Sequence, residues 1–240
     1  MTFRSAGKTD VGLVRKENQD NFLVLPAQMA YAVADGMGGH AGGRQASTIT
    51  IDVLQQELAS LDSLDQARVE KALALANTRI LEEAKEKMLE GMGTTLVLAF
   101  YHDSRWLVIH IGDSRAYVVN QKGIYSLTKD HSLVGELLAQ GSITPEEAKV
   151  HPHRNVLTRA LGGDEYVQPE WSQVAAEEAE YLLLCTDGLY NMVEDERMYA
   201  LVTAADLTLD EKVALLIEAA KERGGLDNIT AVLIAEEAGQ

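Results

Sequence analysis

The chain alternates between short runs of apolar residues and longer segments in which apolar residues recur every three or four positions. Short runs bounded by Gly, Asp or Asn are typical of buried strands. They predict seven strands, Asn21–Leu25, Met29–Ala34, Thr95–Tyr101, Trp106–Ile111, Ala116–Val119, Tyr181–Thr186 and Ile229–Ile234.

The periodic segments predict three longer helices, which begin at Ala46, Ser63 and Thr208. Two of these starts carry the spacing of a capping box, because Gln66 follows Ser63 by three residues and Glu211 follows Thr208 in the same way. Strands and helices come in blocks rather than in strict alternation. The order therefore favours an α+β fold over a doubly wound parallel sheet.

The segment from Asp130 to Gly163 differs from the rest of the chain and is interpreted as a flap inserted over the main body. It contains two short predicted helices, Ser132–Gln140 and Thr144–Val150. In the second, Thr144 is the expected cap and Glu147 its capping-box partner.

Composition narrows the range of functions. The chain has 240 residues, 46% of them hydrophobic, which excludes a disordered or fibrous protein but allows one large domain or two small ones. A formal net charge of −16 argues against nucleic acid and anionic membranes as partners. With no signal sequence, no apolar run long enough to span a membrane and a single cysteine, a reducing cytoplasm is the expected location.

Acidic residues stand at the ends of several apolar runs. Asp35-Gly36 and Asp187-Gly188 each follow a predicted strand, Asp113 follows another after one glycine, and Asp227 precedes the last. A single Asp-Gly pair is most simply a turn. Several at the edge of one sheet would repel each other unless a cation lay between them, and oxygen ligands suit Mg²⁺ or Mn²⁺. Gly36, which lacks a Cβ, could bring its carbonyl to such an ion.

Six segments now stand in a recognisable order along nearly the whole chain, from about Gly7 to Ile234. They resemble the metal-dependent Ser/Thr protein phosphatases of type 2C, and a compact bacterial-type member in particular. The segments are Arg15–Asp20, Asp35-Gly36-Met37-Gly38-Gly39-His40, Gly91-Met92-Gly93-Thr94-Thr95, Gly112-Asp113-Ser114-Arg115, Thr186-Asp187-Gly188 and Asp227-Asn228-Ile229-Thr230. The resemblance implies one catalytic domain over residues 1–240 with a flap subdomain at about 130–163. It also implies a four-layer αββα sandwich of two mainly antiparallel sheets flanked by helices.

The same resemblance implies a centre with two Mn²⁺ or Mg²⁺ ions. Asp35 would bridge both ions, the Gly36 carbonyl would bind one, and Asp187 and Asp227 would hold the other. Asp20 would act through bound waters. A hydroxide bridging the ions would then attack phosphorus in line, without a covalent enzyme intermediate.

Three further residues are candidates, each with a simpler alternative. Arg15 would clamp the phosphate oxygens, unless it is an ordinary surface arginine. His40 would protonate the departing serine or threonine oxygen, unless it only hydrogen-bonds within the glycine-rich loop. Asp113, with Asp187, would hold a third, weaker ion under the flap, unless it only stabilises a tight turn.

The expected activity is hydrolysis of phosphoserine and phosphothreonine in phosphorylated proteins by a monomer, with a Ser/Thr kinase as the natural counterpart. A phosphoprotein-binding module without catalysis and a hydrolase of small phosphoesters remain as alternatives. Cys185 is interpreted as a core residue rather than a nucleophile, because Asn191 stands where a cysteine phosphatase needs Arg. His110 is interpreted as a strand residue and His131 as part of the root of the flap, both outside the site.

Overall fold

The strands form two antiparallel sheets. The computed structural model describes residues 2–61 and 63–237, except for the side chain of His40. The first sheet has the order β1-β11-β10-β7-β8, with β1 Phe3–Asp10, β7 Arg115–Asn120, β8 Gly123–Ser126, β10 Tyr181–Cys185 and β11 Ile229–Glu236. The second has the order β2-β3-β5-β6-β9, with β2 Asp20–Leu25, β3 Ala30–Met37, β5 Leu96–His102, β6 Arg105–Ile111 and β9 Glu170–Ala175. The two-residue strand β4 (Gly93–Thr94) pairs with the end of β3.

Helices cover the outer faces of both sheets. In chain order they are α1 Gly39–Leu58, α2 Gln66–Lys87, α3 Leu133–Ala139, α4 Pro145–Lys149, α5 Asp187–Tyr190, α6 Asp195–Val202 and α7 Leu209–Glu222. None of them, over the residues described, is both long and apolar enough to pass through a membrane.

Three hydrophobic cores separate the four layers. Side chains alternate across a strand, so Ala32 of β3 packs toward α1 and α2 whereas Val33 packs toward the other sheet. Likewise, Val232 of β11 lies between the sheets and Leu233 packs toward the helices α5 to α7. Both faces of the central strands are therefore buried. The predicted α+β fold, a four-layer αββα sandwich, is confirmed.

All seven predicted strands form, and the strands that prediction missed lie mostly at sheet edges. β1 and β8 are the edges of the first sheet and β9 is an edge of the second. In β1 only Ala6 is fully buried, because an edge strand is paired on one side and partly open to solvent. Its sequence therefore lacks the continuous apolar run that reveals a central strand.

Two predicted helix starts are wrong. Helix α1 begins at Gly39, seven residues before Ala46, because its glycine-rich first turns pack directly on β3: a Cβ on Gly43 would lie 2.6 Å from the Gly36 carbonyl oxygen. Helix α2 is not capped by Ser63. The side chain of Asp65 accepts the hydrogen bond from the backbone N–H of Arg68 instead. The capping boxes at Thr144 and Thr208 are confirmed.

The segment predicted as a flap contains α3 and α4 and returns to the body of the protein next to its starting point. Ser132 forms an isolated bridge with Leu157, and Thr94 of β4 forms another with Leu161. The base of the segment is thus pinned to the sandwich at two places. That it acts as a subdomain of a single catalytic domain stays a prediction.

Candidate metal centre

Six of the eight predicted site residues line one cleft of about 430 Å³, and Asp20 lies behind it as the strand partner of Asp35. The cleft lies where the ends of strands from the two sheets meet. Its walls include Arg15, Asp35, Gly36, Asp113, Asp187 and Asp227. Asn155 and Leu157 of the flap segment also line it, so this segment borders the same space as the carboxylates.

Asp20 and Asp35 are brought together by the register of β2 and β3, in which they are direct cross-strand partners. Asp35 is not at the end of a strand, as the sequence had suggested, because β3 continues to Met37. Asp20 is buried, and its Oδ2 accepts hydrogen bonds from the hydroxyls of Thr186 (2.8 Å) and Thr230 (2.7 Å). Its Oδ1 has no hydrogen-bond partner within the described part of the chain.

The backbone around Asp35 is held by two threonines. The N–H of Asp35 donates to Thr95 Oγ1 (3.0 Å), and its carbonyl accepts from Thr95 N (2.8 Å) and from Thr94 Oγ1 (2.8 Å). Thr95 Oγ1 is also 2.7 Å from Ser114 Oγ. This hydroxyl pair ties Asp35 to the turn that carries Asp113.

Asp113 and Asp187 reach the cleft from different elements. Asp113 lies in the turn between β6 and β7, where the chain crosses from one sheet to the other, and its carbonyl accepts a hydrogen bond from the Tyr190 hydroxyl (3.0 Å). Asp187 is the first residue of α5. Its Oδ2 accepts from Asn191 Nδ2 (3.1 Å), while its Oδ1 is buried with no partner among the described residues.

Burial and mutual repulsion make these carboxylates costly to ionise. Burial, reinforced by the nearby acidic groups, raises the pKa of Asp35 well above its usual range. In the same way burial, followed by repulsion from neighbouring aspartates, raises the pKa of Asp113 to about 8 and that of Asp187 to about 6. The pKa of Asp20 rises to about 7, chiefly through burial. A bound cation would relieve this repulsion and favour the ionised forms.

The donor set fits a hard divalent cation. The converging side-chain atoms are carboxylate oxygens, which suit Mg²⁺ or Mn²⁺, and Asp20 and Asp187 each keep a buried oxygen without a protein partner. Gly36 has an additional reason to be glycine: a Cβ there would collide with the carbonyl oxygen of Gly43 and lie 2.7 Å from that of Gln19. Close packing therefore requires this glycine whether or not its carbonyl binds an ion.

Arg15 faces Asp227 across the mouth of the cleft. Its Nη2 donates to Asp227 Oδ2 at 2.7 Å, and the Asp227 hydrogen bond is the main reason why the pKa of Arg15 is raised. The side chain remains about half exposed. Arg15 is thus an accessible cation next to the acidic cleft rather than an isolated surface residue.

The segment that carries Arg15 is attached to the body by Asn228, a member of one of the quoted motifs to which the sequence assigned no role. Asn228 Oδ1 accepts from the N–H of Gln19 (2.8 Å), and its Nδ2 donates to the carbonyls of Val11 and Glu17 (3.0 Å each). Asn228 is only 4% exposed. Its buried amide therefore pairs with three partly buried backbone groups, and all of these polar groups need partners.

Replacing Asn228 with aspartate is expected to destabilise the protein. The carboxylate loses both donors to Val11 and Glu17 and adds a buried charge next to Asp227, which costs about 2–3 kcal/mol. For a chain of this size that corresponds to a fall in Tm of roughly 4–12 °C, measured by thermal unfolding. Gln121→Glu, the same charge change at an exposed turn position, is the control. Equal melting temperatures of the two variants would contradict the role assigned to Asn228.

Other supporting residues were also missed. Thr186 and Thr230 belong to the quoted motifs but had no role assigned from the sequence, and only the fold shows that both donate hydrogen bonds to Asp20. Arg115 forms a two-point ion pair with Asp130 (2.9 and 2.8 Å) and lies 3.7 Å above the ring of Tyr190. This ion pair joins the turn of Asp113 to the root of the flap segment.

The predictions for His40 and Cys185 have different outcomes: the first stays untested and the second is confirmed. The side chain of His40 lies outside the described residues, so its role as an acid stays a prediction; its backbone belongs to the first turn of α1. Cys185 is fully buried, and burial raises the pKa of its thiol to about 12. A thiolate nucleophile at Cys185 is therefore disfavoured, and its interpretation as a core residue is confirmed.

Known proteins share both the sequence pattern and the fold. The family described as protein phosphatase 2C matches residues 14–228. Protein phosphatase PhpP of Streptococcus pneumoniae is 37% identical over 234 residues, which are 95% of this chain and 95% of that protein.

Two solved structures show the same arrangement of the whole chain. The serine/threonine phosphatase PstP/Ppp of Mycobacterium tuberculosis is 36% identical, with a TM-score of 0.89 over 99% of this chain and 100% of that one. A catalytic domain of the serine/threonine protein phosphatase PstP, solved in complex with two manganese ions, is 35% identical, with a TM-score of 0.86 and 97% coverage of both chains. On the family match and on these identities over nearly the full length, the chain belongs to the protein phosphatase 2C family of enzymes.

Proposed function

We propose that this protein hydrolyses phosphoserine and phosphothreonine in phosphorylated proteins with the help of two Mn²⁺ or Mg²⁺ ions. The observation that carries the proposal is the set of partly buried, mutually repelling carboxylates that converge on one accessible cleft. Ionising these carboxylates together is unfavourable without a cation, and their number is sufficient to bind two divalent ions. A related phosphatase solved with two manganese ions supports the same metal chemistry.

The ligands that we propose follow the convergence of the side chains. Asp35 would contact both ions and the Gly36 carbonyl one of them, while Asp187 and Asp227 would hold the other. Asp20, which lies next to Asp35 in the sheet, would act through bound waters with its unpartnered Oδ1. When bound, a cation pair lowers the pKa of a coordinated water and so supplies a nucleophile for in-line attack on phosphorus without a covalent enzyme intermediate.

The remaining site residues would bind the substrate and move its proton. Arg15, which is half exposed at the mouth of the cleft, can offer two parallel N–H donors to the phosphate oxygens. His40 would donate a proton to the departing serine or threonine oxygen. Asp113, on the wall near the flap segment, would hold a third and weaker ion together with Asp187.

Phosphate release is the direct test. The protein is incubated with a phosphothreonine peptide, and separately with p-nitrophenyl phosphate, in EDTA, in Mg²⁺ and in Mn²⁺. Turnover of the peptide with metal and none in EDTA is expected. Full activity in EDTA would contradict the metal mechanism, tight peptide binding without turnover in saturating Mn²⁺ would indicate a binding module, and turnover of the small ester alone would indicate a small-molecule hydrolase.

Arg15 gives a residue-level prediction for substrate binding. Hydrogen bonds to charged groups contribute about 1.5–3 kcal/mol, so Arg15→Ala should lower kcat/KM for the phosphopeptide by roughly 10- to 100-fold. Arg15→Lys should recover part of that loss, because it keeps the charge but not the paired donors. Steady-state kinetics at saturating Mn²⁺ measure both. Arg4→Ala, at an exposed position of β1, is the control, and an Arg15→Ala variant with the kinetics of the control would contradict the role.

The cellular context is part of the same proposal. The substrates would be proteins phosphorylated on Ser or Thr, and a kinase of that specificity would be the counterpart. We further propose that the protein acts as a monomer in the cytoplasm, where its one cysteine, which is buried, would stay reduced.

A further inference from the structure

Two buried histidines lie next to the turn that carries Asp113. His110, on β6, and His131, just before α3, stack with ring centroids 4.5 Å apart and an interplanar angle of 18°. Only 1% of His110 and 5% of His131 is exposed. Glu170, at the start of β9, lies beside them, with its Oε2 3.3 Å from His131 Nε2. None of these three side chains is among the proposed metal ligands, so metal binding at the proposed centre does not explain why two histidines are buried here.

The hydrogen bonds define the protonation of both rings. His110 Nε2 is 2.8 Å from the carbonyl oxygen of Lys129, which can only accept, so Nε2 carries the proton. The N–H of Gly112 donates to His131 Nδ1 at 3.2 Å, so this nitrogen carries a lone pair. His131 Nε2 is then the protonated nitrogen and donates to Glu170. Burial lowers the pKa of both histidines, which agrees with two neutral rings.

This protonation argues against a cation between His110, His131 and Glu170, although ligand atoms of all three lie within 4.8 Å of one another. His131 could offer a cation only Nε2, because Nδ1 already accepts from Gly112. Nε2 carries the proton, and the guanidinium nitrogen Nη1 of Arg159 lies 3.4 Å from it. A positive ion would have to displace the proton next to an existing positive charge.

His131 instead hydrogen-bonds to both backbone polar groups of one residue, Gly112. Its backbone N–H donates to the Gly112 carbonyl (3.0 Å), and its Nδ1 accepts from the Gly112 N–H. Gly112 has φ = +98°, and a Cβ there would lie 2.6 Å from the side chain of Thr95. The residue that follows it is Asp113. The two bonds to His131 therefore restrain the backbone of Gly112, which leads directly into Asp113.

The same residue is tied to the returning end of the flap segment. The His131 carbonyl accepts from the N–H of Thr158 (2.9 Å), and the next residue, Ser132, bridges Leu157. Leu157 lines the cleft. His131 thus connects the Asp113 turn to the part of the flap segment that borders the substrate space.

We propose that His131 is a positioning residue, whose Nδ1 lone pair holds the Gly112 amide and thereby orients the Asp113 carboxylate toward the cleft. This inference rests on the proposed role of Asp113 as a ligand of a third ion. Its consequence is that the weak cation site depends on one nitrogen of a ring that touches no cation itself.

The roles of the two ring nitrogens of His131, Nδ1 and Nε2, can be tested separately by matched substitutions. Asparagine places its side-chain oxygen near the position of histidine Nδ1, whereas glutamine places its amide near Nε2. His131→Asn should therefore retain the acceptor for Gly112 and His131→Gln should lose it. Losing one buried hydrogen bond should weaken Mn²⁺ binding at the weakest site by about tenfold in His131→Gln, with the tighter sites unchanged. His102→Gln, on a half-exposed histidine at the end of β5, is the control.

Mn²⁺ binding is measured by calorimetry and electron paramagnetic resonance, with Asp113→Asn and the double variant Asp113→Asn/His131→Gln alongside. If His131 acts through Asp113, the double variant should bind Mn²⁺ no more weakly than Asp113→Asn. Suppose that Asp113→Asn loses an ion. Equal Mn²⁺ binding by His131→Asn and His131→Gln would then overturn the positioning role of His131. If Asp113→Asn loses none, the third ion of the proposed function fails, and this role of His131 fails with it.

A metal-free measurement tests the hydrogen bond directly. In EDTA, side-chain nitrogen NMR of the wild-type protein should show His131 protonated at Nε2 and unprotonated at Nδ1. Addition of Zn²⁺ at one equivalent should leave the His110 and His131 signals unchanged. Protonation at Nδ1, or a shift of both rings on adding Zn²⁺, would overturn the inference.

Discussion

Asp35→Asn is expected to lower metal-dependent phosphate release by about a thousandfold or more. Asp35 is partly buried near Asp20, Asp113, Asp187 and Asp227, and each of them raises its pKa by repulsion. Asparagine keeps the size of the side chain but removes the charge that we propose for contact with both ions. A cation pair stabilises the transition state by several kcal/mol, and each 1.4 kcal/mol lost is about tenfold in rate.

The same substitution should make the metal-free protein more stable. Removing one negative charge from a crowded buried cluster relieves repulsion, so in EDTA the Tm of Asp35→Asn should exceed that of the wild type. Addition of Mn²⁺ should raise the Tm of the wild type and have a smaller effect on the variant. Asp52→Asn, on an exposed position of α1, is the matched control for loss of one charge. Wild-type turnover by Asp35→Asn would contradict the proposed centre.

Removal of metal should lower the melting temperature of the wild-type protein, and more so at pH 8 than at pH 6. A ligand at a hundred times its Kd stabilises the folded state by about 2.7 kcal/mol. For a chain of this size, that amounts to roughly 5–10 °C of Tm. Thermal unfolding in excess EDTA, compared with millimolar Mn²⁺, measures the difference at each pH.

The pH dependence follows from the raised pKa values. In the metal-free folded state Asp187 has a pKa of about 6, Asp20 of about 7 and Asp113 of about 8, against about 3.9 in an unfolded chain. Between pH 4 and pH 8 the folded state therefore binds more protons than the unfolded state, and stability falls as the pH rises. Below this range protons offset the repulsion, and above it only cations do. A Tm in EDTA that rises from pH 6 to pH 8 would contradict this reasoning.

Two kinds of feature could be predicted from the sequence: strands that are buried on both faces, and helix caps whose partners are close along the chain. The centres of β3, β5, β10 and β11 are apolar at every position because one face packs on helices and the other on the second sheet. The capping boxes of α4 and α7 were visible for a local reason, since cap and partner are three residues apart. The edge strand β1 gave no such signal, because only one of its side chains is fully buried.

The candidate site also has a part that the sequence predicted, the acidic residues, and a part that it did not, the groups that hold them. Its acidic residues could be found because an aspartate after a buried apolar run is conspicuous, and the order of the motifs indicated the family. The groups that hold these acids could not be found, because they act over long separations. Thr230 contacts Asp20 across 210 positions, and Asn228 contacts Val11 across 217. The assignment of individual ligands stays a prediction that Asp35→Asn and the metal titrations test.

Residue type and order were enough to indicate an α+β class, a family resemblance and the acids that are candidates for metal binding, and the four-layer sandwich followed from that resemblance rather than from the pattern. Three features became visible only in the folded chain: Asp20 pairs with Asp35 across two strands, α1 begins at Gly39, and His131 hydrogen-bonds to Gly112, the residue before Asp113. The reason is physical. Strand register, close backbone packing and hydrogen bonds between distant segments depend on which surfaces meet, and no short stretch of sequence contains both surfaces.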